Sequence, residues 1–93
     1  MLFRSDLFLE DTPQRLAKMK TAFDQGDAAT IKSVAHTLKG SASNLGARRL
    51  AAQCAEVERQ CGLGIRDELA GSLEKIAAEF RQVCVALEEE KKK

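Results

Sequence analysis

"DAATIKSVAHTLKGSASNLG", residues 27–46, carries the start, the buried stripe and the stop of one helix. Asp27 stands where a carboxylate accepts from the free backbone N–H groups of a first helical turn. Ile31, Ala35, Leu38, Ala42 and Leu45 recur at steps of three and four, which lines them along one helical face. Gly46 follows. Glycine adopts without strain the left-handed conformation with which helices commonly end.

The same rhythm runs outward in both directions. Upstream, Leu9, Thr12, Leu16, Met19 and Phe23 form the stripe of a first helix that ends at "DQGD", residues 24–27. Pro13 either opens that helix behind a Thr12 cap or bends a longer one that begins near Ser5. The longer, bent helix is the preferred reading, because Leu2, Phe3, Leu7 and Phe8 otherwise have nowhere to be buried. Downstream, Leu50, Cys54, Val57 and Cys61 mark a third helix stopped by the glycines of "GLG", residues 62–64. Leu69, Leu73, Ile76, Phe80, Val83 and Leu87 mark the fourth and longest, with "EEEKKK" as its solvated end. Period-two alternation is absent, so the fold class is all-α. Four amphipathic helices joined by short connections predict an antiparallel up-down-up-down four-helix bundle with shallow crossing angles. Residues 1–90 make its single domain, and residues 91–93 a solvated tail.

Composition agrees and removes several function classes. The chain has 93 residues, enough for one modest core. Hydrophobic residues are 44% and charged residues 31%, the balance of a soluble globular domain. With 15 basic and 14 acidic side chains the formal charge is +1, so no strong field attracts a nucleic acid or an anionic bilayer. Arg48 and Arg49 are read as solvated rather than as a nucleic-acid patch. Acidic residues break the apolar character of "LFRSDLFLEDTP", residues 2–13, before a signal or membrane-spanning length is reached. A cytoplasmic protein without membrane insertion is therefore expected. Cys54, Cys61 and Cys84 are odd in number and form no CxxC, and on a helix the first two lie about 10 Å apart, beyond disulfide reach. All three are expected to be small core residues.

His36 is the only histidine. At about 100° per residue it points roughly 140° from the stripe of its helix, toward water, and Lys32, Lys39, Gly40 and Ser43 fall within about 60° of it. A neutral imidazole carries a nitrogen lone pair and is a nucleophile that needs little activation. Lys39, one turn along, is placed to balance a phosphoryl group through a charge-assisted hydrogen bond. Glycine inside a helix costs about 1 kcal/mol relative to alanine. Gly40 lies about 180° from the stripe, where no neighbouring helix presses, so its function is read as an open notch beside the ring. Antiparallel geometry sets Thr12, Arg15, Leu16 and Met19 opposite His36. Thr12 and Arg15 are assigned, with Lys32 and Ser43, to the rim of a binding surface, and Leu16 and Met19 to the core.

Residues 35–51, "AHTLKGSASNLGARRLA", resemble the signature of histidine phosphotransfer (HPt) domains, the phosphocarriers of multistep two-component relays. The alanine before the histidine, the Thr, Leu, Lys, Gly and Ser after it, and the Leu-Gly pair that closes the helix all match. "FLEDTPQRLAKMKTAFDQGD", residues 8–27, is similar to the helix and turn that precede that signature. The resemblance implies a four-helix bundle in which His36 accepts a phosphoryl group from a receiver-domain aspartate and passes it to another receiver, with Lys39 and Gly40 in the roles argued above. It implies response-regulator receiver domains and a hybrid sensor histidine kinase as partners, and a monomer. The chain has no G-x-x-x-x-G-K-[ST] loop and no acidic cluster for magnesium. It is thus expected to be a carrier rather than an enzyme, without a cofactor of its own, the Mg²⁺ and most of the catalysis being supplied by the receiver. Two alternative readings stand beside it: the dimerisation helix of a sensor kinase, where an acidic residue typically stands at the position of Thr37, and a helical adaptor with an idle histidine.

Overall fold

The computed structural model describes the backbone of residues 4–63 and 66–91, and the side chains of residues 8–63 and 67–88. Four helices follow one another: α1 (Arg4–Asp24), α2 (Ala28–Leu45), α3 (Arg48–Leu63) and α4 (Arg66–Lys91). Each packs on the next, and α4 returns to α1. They close a four-helix bundle of 44 × 21 × 18 Å.

The turn chemistry follows from single residues. Asp27 Oδ1 accepts from the Thr30 amide at 3.1 Å and Oδ2 from the Thr30 hydroxyl at 2.6 Å. These bonds, the hydroxyl first, hold the Asp27 carboxyl below its ordinary value. Gly46 closes α2 at φ 84°, so its N–H reaches Ser43 O at 3.1 Å and that of Ala47 reaches Ala42 O at 2.9 Å. A side chain at that φ would meet its own backbone.

Pro13 lies inside α1. The longer-helix reading holds, and the reason is tertiary. An interior proline is unfavourable by about 3 kcal/mol, whereas a fully buried Phe, Leu or Met side chain contributes about 1.5–3 kcal/mol. A helix continuing through Pro13 buries Phe8 and Met19 together. Phe8 stacks on Phe80 of α4 with ring centroids 5.6 Å apart at 60°, a favoured tilted geometry. Leu2 and Phe3, and the side chain of Leu7, lie outside the described residues.

Two boundaries differ from expectation. Gly62 does not stop α3, which continues to Leu63, since a helical glycine costs only about 1 kcal/mol; Gly64 is outside the described residues. Lys91 belongs to α4 rather than to a tail, while Lys92 and Lys93 are not described.

Met19, Ile31, Leu38, Leu50, Val57 and Ile76 are the largest apolar side chains wholly inside. Of the cysteines only Cys54 is buried; Cys61 and Cys84 are half-buried. In the last turns of α3 the buried face has rotated to Gln60, which leaves Cys61 at the margin. Cys84 sits where α4, with 26 residues against 16 in α3, runs beyond its neighbour. Val85, just past it, is 51% exposed. No helix among the described residues is long and apolar enough to cross a membrane.

Candidate functional site

Helix α2 presses Ile31, Val34, Ala35, Leu38 and Ala42 into the core, and that orientation carries His36 outward with its side chain 70% exposed. Lys32, Gly40 and Ser43 are exposed around it and Lys39 is partly so. The outward strip is therefore present as the helical step requires. A Cβ built on Gly40 would meet no atom within 4 Å, so the notch is open space and not a packing contact.

The two flanks of the strip differ. On the α3 side stands Glu58, whose carboxylate is only 18% exposed. Its Oε2 lies 3.4 Å from His36 Nδ1, and its Oε1 lies 3.1 Å from Lys39 Nζ. Oε1 is closed off from solvent, so the ammonium is its counter-charge. The Lys39 contact is a charge pair rather than an aligned hydrogen bond. Burial raises the Glu58 carboxyl, but Lys39 and His36 outweigh it and hold the group below its ordinary value. Glu58 is thus a carboxylate at neutral pH, and one oxygen serves each partner.

On the α1 side the strip opens onto a groove of about 340 Å³, where Asp11, Thr12 and Arg15 of α1 face Ser41 and Asn44 of α2. Thr12 does not form a rim: it is 1% exposed and makes the groove's floor. The reason is that α1 continues past it, so Thr12 shares the inward face with Phe8 and Met19 instead of capping a helix. Arg15 stands half-exposed in the wall, 4.0 Å from Asp11. Of the two α1 residues expected in the core, Met19 is buried and Leu16 only partly so.

Glu58 is the residue that sequence reasoning missed. It sits beside Val57 and one turn beyond Cys54, at the edge of the α3 stripe, where it reads as an ordinary solvated acid. The available signal was the hinge at Gly46 and Ala47: folding α3 back antiparallel from there brings position 58 across from position 36. Cys54, buried between the same helices, is pushed up to about 12, first by burial and then by the charge of Glu58. It stays a thiol at neutral pH, so the imidazole is the accessible nucleophile of this region.

Comparison with known proteins agrees with this arrangement. The Hpt domain family model matches residues 5–92. The fold is similar to the crystal structure of histidine-containing phosphotransfer protein B from Pseudomonas aeruginosa PAO1, with a TM-score of 0.89 and 32% identity over 94% of this chain and 76% of that one. No curated protein gives a significant sequence match. With the family model spanning nearly the whole chain and the bundle superposing on a solved member, the protein belongs to the Hpt domain family, a phosphotransfer carrier of phosphorelays.

Proposed function

We propose that His36 is the residue this carrier phosphorylates, accepting from a receiver-domain aspartate and donating to a second receiver. The observation that carries the reading is the geometry of the α2 strip: a 70% exposed imidazole with an ammonium one turn away and open space above Gly40. The incoming acyl phosphate is approached by the ring nitrogen, the P–O bond breaks, and the electron pair leaves with the aspartate carboxylate. Lys39 then meets the dianionic group at the range of a charge-assisted hydrogen bond. Gly40 lets the receiver's active-site loops descend on the ring, and Lys32, Ser43 and Arg15 border the contact.

Magnesium belongs to the receiver in this reading. Among the described residues the carboxylate in contact with His36 is that of Glu58, already engaged by Lys39 and His36, so these residues do not fit a metal cradle of their own. The chain acts as a cytoplasmic monomer that serves receiver domains and a hybrid sensor histidine kinase. The dimerisation-helix alternative loses its basis, because the four helices of a single chain already close one core. The adaptor alternative offers no account of an open glycine notch beside the ring.

The test is phosphotransfer from a panel of phosphorylated receivers. We expect an acid-labile label on the wild-type chain and none on His36→Gln, with melting nearly unchanged, since an exposed side chain contributes little to stability. Label retained by His36→Gln would move the acceptor elsewhere.

A further inference from the structure

We propose that the groove between α1 and α4 is a second docking site of this protein, shaped for a basic amphipathic helix of a partner and placed across the bundle from His36. The helices pack in the order α1, α2, α3, α4 and back to α1. His36 points out from α2 and meets Glu58 of α3, so the α1–α4 seam lies on the other side. An occupant there leaves the imidazole open to a receiver.

The seam is the one that the chain's own side chains fill least. Among the described residues, α1 and α4 touch one another less than any other neighbouring helices do, and a groove of about 450 Å³ runs between them. Leu16 and Phe23 of α1 and Leu73 of α4 stand in its walls only partly buried, while Ala17, Ala70 and Ala77 keep those walls low. These residues span about two helical turns on each side, the length over which a docked helix presents apolar anchors at i, i+3, i+4 and i+7. Small side chains also let a third helix axis approach closely. The walls dictate the occupant's backbone as well. Every lining residue lies past the first turn of its helix, so its N–H is already bonded within that helix. An extended chain laid there would bury unpaired backbone groups, whereas a helix satisfies its own.

Charge selects the partner. Lys20, Asp24 and Glu74 border the groove, all three are exposed, and none has an ion-pair partner among the described residues. Carboxylates on both walls against one ammonium leave the rim acid-rich, although the whole chain carries +1. By contrast, Asp11 and Arg15 at the α1–α2 groove lie 4.0 Å apart and balance each other. Complementary potentials favour a partner with lysine or arginine on both flanks of its apolar stripe. A second copy of this chain seated by the same face is disfavoured by that rule, because it sets an acid-rich rim against its like.

The experiment uses two helical peptides of about 16 residues, long enough to form a helix, with the same leucine stripe flanked by lysines in one and glutamates in the other. Each is titrated into the full ¹⁵N-labelled chain. We expect the lysine peptide to shift the amides of Leu16, Phe23 and Leu73 and to leave that of His36 in place. It should bind about tenfold more tightly than the glutamate peptide at low salt, the scale of exchanging repulsion for attraction at two exposed sites. The preference should fade at high salt and reverse in the double variant Asp24→Lys, Glu74→Lys. Ala17→Gln, at an exposed position of α1, should melt like the wild type yet weaken binding several-fold by filling the groove. No binding of the lysine peptide, equal binding of the two peptides, shifts centred on the α2 strip, or unchanged binding by Ala17→Gln overturns the proposal. Self-association of the chain through these residues, read by sedimentation, would give the groove to a second copy and overturn it as well.

Discussion

The α2–α3 pair and the α1–α4 pair are built differently. Between α2 and α3, Ala35, Leu38, Ala42, Leu50, Cys54 and Val57 are all wholly buried, and half of them are small. Small contact residues bring helix axes closer together. Between α1 and α4 the Phe8–Phe80 pair stacks at one end. Farther along, Leu16, Phe23 and Leu73 are only partly buried and border an apolar groove of about 450 Å³. The site spans the tightly packed pair. A contact between side chains 22 positions apart, His36 and Glu58, survives only if the two helices hold a fixed distance, and residues locked by packing supply that precision.

The strongest challenge to this contrast is a pair of truncations. Leu38→Ala, in the filled interface, should destabilise by about 2–5 kcal/mol as a cavity opens. Leu16→Ala, on the wall of the α1–α4 groove, should lose only about 1 kcal/mol, since it is only partly buried. For a domain of this size about 1 kcal/mol corresponds to some 4–8 °C in melting temperature, so thermal and urea melts of both variants separate the two cases. Equal losses would show that the groove side is packed as firmly as the site side.

A second comparison sits within α2, between its buried stripe and the open face at Gly40. Gly40→Ala should stabilise by up to about 1 kcal/mol through helix propensity, because the new methyl group meets nothing. Gly40→Gln should also fold well, yet transfer from a phosphorylated receiver should fall several-fold as its side chain fills the notch. Melts and transfer rates on the same two proteins test it. A destabilised Gln variant would mean that α2 is pressed at that spot, and normal transfer by a stable one would remove Gly40 from the site.

The smallest effect concerns the ion pair that joins α2 to α3. The Glu58 carboxyl is lower in the folded chain than in the unfolded one because Lys39 and His36 outweigh burial. Its contribution is complete above the unfolded-state value and disappears as pH falls through the folded one. Lys39→Ala should therefore flatten the acid limb of stability, by no more than about 1 kcal/mol for a pair at the bundle's surface. Urea unfolding of both proteins from neutral pH down through the carboxylate range measures it. Parallel curves would mean that Lys39 contributes nothing to Glu58.

Pro13, Gly62, Thr12 and Glu58 show where local reading stops. The first two are residues that weaken a helix; judged locally, Gly62 marks an end and Pro13 leaves a start and a bend both open. In the structure both lie inside helices: burial of Phe8 and Met19 offsets the proline penalty of about 3 kcal/mol, and the glycine costs only about 1 kcal/mol. Thr12 has the chemistry of a cap or a rim, but the continuation of α1 turns it into the core. Glu58 has no local mark at all, since its partners lie on another helix.

The chain alone is enough for the four helices, the Asp27 cap, the Gly46 stop and the outward direction of His36. Each of these depends on backbone geometry repeating every few residues, which apolar spacing records directly. The charged wall of Glu58 and Lys39, the place of Thr12 on the groove floor, and the looser seam between α1 and α4 were settled only when the helices came together. These features join residues distant in sequence, and their distances depend on side-chain volumes at helix contacts, which no periodicity along the chain encodes.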